Sequence, residues 1–324
     1  MDSSRIRCVK NIIHFSPTHV GYVLAIAAAA LAGLIHSISK PLLSSTGPFT
    51  VEINPVTLAA IIYIINGLFF TPIKKNTNID SKISRKNFLI LAIVGVAEVT
   101  ALIMYFFGLK DATATHAAIL NNGEMIFTVL IAMTIFREKL QKKELAPFSM
   151  IIIGIAVLPI AYDFYHNGMV FADLVFGDML ILFAGVFFAI DINLSRYLSN
   201  KIDARRIVQL ASFAAGGFAF CLILIFQIPF EINLSQIPSI VIIGLFGTGV
   251  STFFFLISLK LLGAIRTILL YSTTIVFGII FASIFLHEII SLSNILSIIL
   301  VSIGIYLLRN RLGKIKMIDK PIEK

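Results

Sequence analysis

The chain has 324 residues, of which 58% are hydrophobic and only 13% are Asp, Glu, Lys or Arg. Soluble domains carry about 25% charged residues, so this composition excludes an ordinary water-soluble fold. The net charge is +9, which would suit nucleic-acid binding only if the basic residues shared one face with aromatic side chains. They do not cluster in this way, and we predict no nucleic-acid partner.

Ten apolar segments, separated by Pro, Gly and charged residues, predict ten transmembrane helices. Lipid offers the backbone no hydrogen-bond partners, so each span must be helical. The first five are expected at Val20–Ser39, Val56–Phe70, Phe88–Leu109, Ala112–Phe136 and Leu145–Tyr162. The second five are expected at Gly177–Leu194, Ile207–Ile228, Ile237–Leu259, Ala264–Leu286 and Leu292–Leu308. The sequence therefore predicts an all-α integral membrane protein embedded in a lipid bilayer.

The basic residues fall almost entirely on one side of the predicted membrane. With the N-terminus inside, all 26 Lys and Arg residues except Lys40 and Lys110 lie inside. This asymmetry predicts a multi-pass protein of the cell inner (plasma) membrane with both termini in the cytoplasm. The termini would be a basic leader at 1–19 and a basic tail at 309–324. The leader resembles a secretory signal, but the apolar run Val20–Ser39 is too long for one.

The two halves of the chain are related by an internal repeat. A shift of 150 residues lays Leu109–Leu140 on Leu259–Ile290 without a gap, and a shift of 156 lays Gly21 on Gly177. Five spans per half is an odd number, so the second half must be inserted upside down relative to the first. We predict two inverted five-helix repeats, at 20–162 and 177–308, with a substrate site between them near the membrane midplane.

Two segments carry a more specific pattern. In the first copy, Leu109-Lys110 precedes an Ala/Thr-rich run and a long helix that ends at Phe136-Arg137-Glu138; the second copy runs from Leu259-Lys260 to Leu286-His287-Glu288. This pattern resembles the EamA domain of the drug/metabolite transporter superfamily, although this chain has no Pro near Met125 and Ile275, where the family usually has one. The resemblance implies a carrier of small metabolites such as amino acids, working by proton-coupled or passive exchange.

Two carboxylates fall in the middle of predicted spans: Glu98 in the third and Glu124 in the fourth. A charged side chain there costs roughly 2.5–3.5 kcal/mol on insertion scales, so each requires an explanation. We expect both to line the central site, where they bind an ammonium group on the substrate or carry a proton. The alternative is that each is a structural group, hydrogen-bonded across helices. Tyr105, seven residues after Glu98, projects from the same side.

The fourth span also carries a polar stripe. At 100° per residue an arc of roughly 140° holds the side chains of Thr113, His116, Asn121, Glu124 and Thr128. This stripe is expected to face a water-filled cavity. Asn122 points away from it and is expected to hydrogen-bond a neighbouring helix.

Four further residues are candidates for the same site. The 150-residue shift places Tyr271 and Thr274 at the depth of Asn121 and Glu124. His36 and Asp191 lie toward the exit ends of equivalent spans. His36 would act as a gate or proton relay, or else as an interfacial residue; Asp191 would serve the site, or else pair with Arg196.

These features favour a secondary transporter that moves a small polar or amphipathic metabolite, an amino acid or related compound, by alternating access. A passive channel or a non-transporting scaffold is the alternative. An intramembrane enzyme is disfavoured because no HExxH, CxxC or GxSxG spacing occurs and only Cys8 and Cys221 are available. We predict no catalytic residue, no metal site and no cofactor, and leave the oligomeric state open.

Overall fold

The computed structural model describes residues 17–44, 49, 51–72, 83–135, 145–146, 149–154, 173–262, 264–290 and 292–312. The predicted basic leader and tail lie largely outside these residues, as do Glu138 and most of the fifth predicted span. The helices, cavity and contacts are those of the described part of the chain.

The described residues form helices, with no strand among them. In the first half they are α1 Pro17–Leu43, α2 Pro55–Phe69, α3 Arg85–Asp111, α4 Ala114–Asn121 and α5 Glu124–Ile135. In the second half they are α6 Asp173–Ser199, α7 Ala204–Phe226, a 3-10 turn Leu234–Gln236, α8 Ile237–Ile242, a π-helical segment Ile243–Val250, α9 Ser251–Leu262, α10 Ala264–Tyr271, α11 Thr274–Leu286 and α12 Leu292–Leu312.

Five of these segments are long and apolar enough to cross a membrane. Within the described ranges they are Thr18–Leu43, Arg85–Asp111, Phe176–Ser199, Ala204–Phe226 and Leu234–Leu262. The segments Pro55–Phe69, Thr274–Leu286 and Asn294–Gly304 are apolar but shorter. The prediction of an all-helical protein is confirmed, whereas the count of ten spans is not.

The fourth and ninth predicted spans differ from the continuous helices expected of them. The fourth is broken at residues 122–123, between α4 and α5, and the ninth at 272–273, between α10 and α11. The N–H groups of Gly123 and Thr273 bond three residues back, at 2.8 and 3.1 Å, instead of four. The two breaks lie 150 residues apart in the chain. The repeat found in the sequence is therefore also present in the backbone conformation at these positions.

Polar side chains account for the breaks in the absence of proline. The Asn122 amide donates to the carbonyl of Ala118 at 3.0 Å, and the Thr273 hydroxyl donates to Leu270 at 2.6 Å. Such side chains compete with the backbone for its own acceptors and bend helices. The expectation that Asn122 bonds a neighbouring helix is therefore wrong, because its amide bonds within the turn that it helps to form.

The two broken helices run antiparallel to each other. Glu288, just after α11, accepts the backbone N–H of Ala114 at the start of α4, at 2.8 Å. At the breaks, the Ser272 hydroxyl donates to the sulfur of Met125 at 2.8 Å. The beginning of one helix thus lies at the end of its counterpart, as a duplication with opposite insertion requires.

Helices from different halves pack together throughout the core. α3 packs on α6 and α7, α2 on α7, and α1 on α9 and α11. Gly21 of α1 and Gly177 of α6 occupy matched contacts: an added Cβ would lie 2.7 Å from Leu262 at the first and 3.0 Å from the Gly108 carbonyl at the second. Small residues allow such close approach in membranes.

Candidate functional site

A cavity of about 100 Å³ lies between the two halves, where the helix breaks meet. Its lining comes from α1, α2, α3 and the α4–α5 break in the first half, and from α6, the π-helical segment, α9 and the α10–α11 break in the second. The polar lining residues are His36, Tyr63, Glu98, Tyr105, Asn121, Glu124, Asp191, Thr248, Thr252, Tyr271 and Thr274. The described lining therefore holds three carboxyl groups, and no Lys or Arg lies among them.

Glu98 and Asp191 form the acidic pair of this cavity. The Tyr63 hydroxyl of α2 hydrogen-bonds the Glu98 carboxyl, and the Ser195 hydroxyl donates to Asp191 at 2.9 Å, one turn along α6. The two acids are close enough to interact electrostatically. Asp191, expected near an exit end and as a possible partner of Arg196, thus lies in the centre and is held by Ser195.

Glu124 is the least constrained of the three acids. It begins α5, its residue is only 9% exposed, and its side chain lines the cavity. Its carboxyl group interacts electrostatically with Asp191 but makes no side-chain hydrogen bond within the described residues. The buried side-chain Oδ1 of Asn121, just before the break, has no hydrogen-bond partner there either. A buried carboxyl without a partner is costly, so a ligand, a proton or water is required to satisfy it.

His36 and Tyr105 join α1 to α3 along one side of the cavity. The His36 Nδ1 is hydrogen-bonded to the Tyr105 hydroxyl, and the two rings meet edge to face with centroids 5.6 Å apart. His36 is 3% exposed and its Nε2 has no partner among the described residues. The pair is therefore a polar link that borders the cavity, and one of its nitrogens has no hydrogen bond.

The second half supplies hydroxyl groups where the first supplies acids. Thr248 and Thr274 stand 150 residues after Glu98 and Glu124, respectively. The Thr248 hydroxyl accepts a bond from Asn66 at 2.6 Å. It also donates to the carbonyl four residues back at 2.8 Å. The site is thus asymmetric although the fold is repeated.

Asn121 and Glu124 of the predicted polar stripe line this cavity, whereas Thr113, His116 and Thr128 do not; the other predicted site residues all line it. His116 is buried on α4 but does not border it, because five residues, or about 140° of helix, separate it from Asn121. Sequence reasoning missed Tyr63, Thr248 and Thr252. The 150-residue shift gave the signal for Thr248, since it pairs that residue with Glu98; Tyr63 gave none, as it lies within an apolar run.

A second polar cluster lies at the end of the bundle where α1 and α3 finish. The Lys40 ammonium donates to the carbonyls of Leu109 and Lys110 at 2.9 and 2.8 Å. Lys110 forms an ion pair with Glu52 at 2.7 Å. Glu288 accepts three hydrogen bonds from the start of α4: from Ala114 N–H, and from the N–H and the hydroxyl of Thr115 at 2.9 and 2.7 Å.

Within this second cluster, the hydrogen bonds of Glu288 join the two halves at one end. Within the described residues, neither it nor any other group of three or more His, Cys, Asp or Glu side chains could hold a metal ion.

A polar cavity enclosed by two copies of one helical unit is the architecture of secondary transporters. The sequence comparisons identify a transporter family. The family model described as the EamA-like transporter family matches residues 19–159 and 175–310. The chain belongs to this family, and its two matches are consistent with the predicted inverted repeat. Membership implies a small-molecule substrate and embedding in a membrane.

Two individual proteins are similar along most of their length. An "Uncharacterized transporter" of Methanothermobacter thermautotrophicus is 31% identical over 303 residues, which cover 89% of this chain and 85% of the relative. A crystal structure of a protein with 17% sequence identity matches 92% of this chain and 98% of its own with a TM-score of 0.64. At that identity the second similarity supports the fold alone.

Proposed function

We propose that this protein is a secondary transporter that moves a small amine-bearing metabolite, an amino acid or related compound, by alternating access. The two halves would rock against each other and expose the central cavity to each side of the inner membrane in turn, with both termini in the cytoplasm. The cavity acids would bind the ammonium group of the substrate or exchange a proton for it.

One observation supports this proposal above the others: Glu124 is buried at a helix break and borders the cavity shared by both halves, and no Lys or Arg lies in the described lining to neutralise it. A buried acid without a basic partner is expensive in a membrane and marks a substrate or ion pathway. The broken helices around it are also typical of transporter sites at the midplane.

Counterflow in proteoliposomes tests this function. Vesicles preloaded with leucine, phenylalanine or their decarboxylated amines would be given the same compound in radiolabelled form outside. A carrier takes up label faster when preloaded, because each return step carries substrate. Uptake that preloading does not accelerate would identify a passive channel, and no uptake of any of the four compounds would count against transport.

Glu124→Gln tests the residue that supports the proposal. We expect at least a tenfold loss of counterflow or the loss of its pH dependence, since the amide keeps the shape but neither ionises nor exchanges a proton. Glu231→Gln, in the exposed segment after α7, is the matched control and should leave counterflow unchanged. Equal flux of the Glu124→Gln variant and the parent at every pH would remove Glu124 from the mechanism.

A further inference from the structure

Resting on the proposed function, we propose that the preferred substrate is a net cation, an organic amine without a carboxylate, and not the zwitterionic amino acid. The cavity joins five aromatic rings and three acids, one of which is the nine-tenths buried Glu124. Neither half places a Lys or Arg side chain in the described lining. A ligand carboxylate would therefore be buried with no fixed positive charge in the described lining to balance it, and an unbalanced charge is costly in a low-dielectric site.

Neutral donors could in principle bind a carboxylate, but here most of them already have acceptors. The hydroxyl of Tyr63 is bonded to Glu98. The hydroxyls of Thr248 and Thr274 donate to the carbonyls of Gly244 and Tyr271, at 2.8 and 2.5 Å. The α4–α5 break offers acceptors instead: the Glu124 carboxyl lines the cavity, and the side-chain oxygen of Asn121 has no donor among the described residues. The cavity is consequently rich in acceptors and poor in donors.

Half-helix starts are the other place where transporters bind carboxylates, through free backbone N–H groups. At the two breaks, the N–H groups that follow the first residue of each half-helix are already bonded. At the start of α11, the N–H groups of Ile275, Val276 and Phe277 bond to carbonyls of the turn at 3.3, 2.9 and 3.2 Å. At the start of α5, Met125 and Ile126 do the same at 3.1 and 3.0 Å. The side chain of Glu124 also puts a carboxyl group at the start of α5, where a ligand carboxylate would otherwise bind.

The aromatic lining fits an amine as well. Five rings border the cavity: Tyr63, Tyr105, Phe188, Phe255 and Tyr271. Phe255 and Tyr271 lie against each other with centroids 4.8 Å apart. Ring faces attract a cation and pack against the apolar part of an amine, so acids and aromatics together favour an organic ammonium ion.

Binding to the purified protein tests this inference independently of transport. Calorimetric titration would compare phenethylamine, phenylalanine and 3-phenylpropionate, which share one ring and differ only in their charged groups. We expect phenethylamine to bind at least tenfold more tightly than phenylalanine, and 3-phenylpropionate not to bind. Isopentylamine and leucine repeat the comparison with a smaller side chain.

Substitutions assign the binding to the cavity. Glu124→Gln and Asp191→Asn should each weaken phenethylamine binding at least tenfold, whereas Glu231→Gln should leave it unchanged. Having two cavity variants keeps the test decisive if one of them does not fold. Amine affinity that survives in every folded cavity variant would overturn the inference, as would amino acids that bind as tightly as their amines in both pairs, or amines that do not bind.

The outcomes for ligand class and for transport are separable. If phenethylamine binds as expected but none of the four compounds shows counterflow, the proposed transport fails and the ligand class stands. If phenylalanine exchanges while phenethylamine neither exchanges nor competes, transport stands and the ligand class is wrong.

Discussion

His36 and Tyr105 show how single side chains determine the shape of the cavity. Their hydrogen bond links α1 to α3, and both residues are almost fully buried. We expect Tyr105→Phe to lower the free energy of unfolding by about 1–3 kcal/mol, because His36 would then be buried with neither nitrogen bonded. The combined change His36→Phe and Tyr105→Phe should recover part of this loss.

Thermal unfolding in detergent measures this coupling as a double-mutant cycle. Tyr306→Phe is the matched control, since Tyr306 is 58% exposed and should tolerate the change. Additive effects of the His36 and Tyr105 substitutions would show that the bond contributes nothing.

At the same scale, the acids were predictable and their partners were not. Glu98 and Glu124 are conspicuous because carboxylates are rare in long apolar runs. The hydroxyl of Tyr63, by contrast, is one polar atom on a largely apolar side chain, and hydropathy does not distinguish it from filler. That Asp191 lies beside Glu98 depends on how α6 packs on α3, which no local pattern encodes.

At the scale of the element, the start of α5 depends on a glycine of α6. A Cβ added at Gly185 would lie 3.0 Å from the backbone nitrogen of Glu124 and 3.2 Å from its Cα. We expect Gly185→Ala to push α6 away from the break, destabilise the protein by about 1–3 kcal/mol through overpacking, and reduce counterflow. The atoms that the added Cβ would meet belong to the backbone at Glu124, so they cannot move aside as a flexible side chain would.

Gly217→Ala provides the control. An added Cβ there meets nothing within 4 Å, and alanine favours helix over glycine by up to about 1 kcal/mol, so the variant should be as stable as the parent or more stable. Melting temperatures and counterflow rates of the two variants would be compared. A Gly185→Ala protein with unchanged flux would show that the position of this helix start is unimportant.

The breaks themselves illustrate what the sequence did not reveal. Residues 114–135 and 264–286 contain no proline, so each segment is expected to form one uninterrupted helix. A short polar sequence such as Asn122-Gly123 or Ser272-Thr273 is compatible with a continuous helix and with a broken one. The contact of the two breaks across the repeat, from Ser272 to Met125, involves residues far apart in the chain.

At the scale of the molecule, the contacts of Glu288 place the end of α11 and the start of α4 at one face. We expect Asp111→Cys and Ile289→Cys, both at exposed positions, to react with a membrane-impermeant maleimide in intact cells. Lys201→Cys, at an exposed position just after α6, should react only after permeabilisation. The labelling would use a background in which both native cysteines are replaced by serine.

The pattern of labelling tests two expectations separately: the inverted arrangement of the halves and the location of the termini. Opposite accessibility of positions 111 and 289 would contradict the inverted arrangement of the halves. Reversal of all three sites would leave that arrangement intact and place the termini outside the cell.

Glu98 and Thr248 occupy equivalent positions in the two repeats, as do Glu124 and Thr274. This equivalence also constrains the ancestry of the molecule. An assembly of two first halves would double the carboxylates at these positions, and an assembly of two second halves would have only hydroxyls there. Neither homodimer would reproduce the polarity of the present cavity. In the fused chain, one repeat supplies carboxylates and the other supplies hydroxyls at the equivalent positions. A homodimer of a single half could not have had this difference.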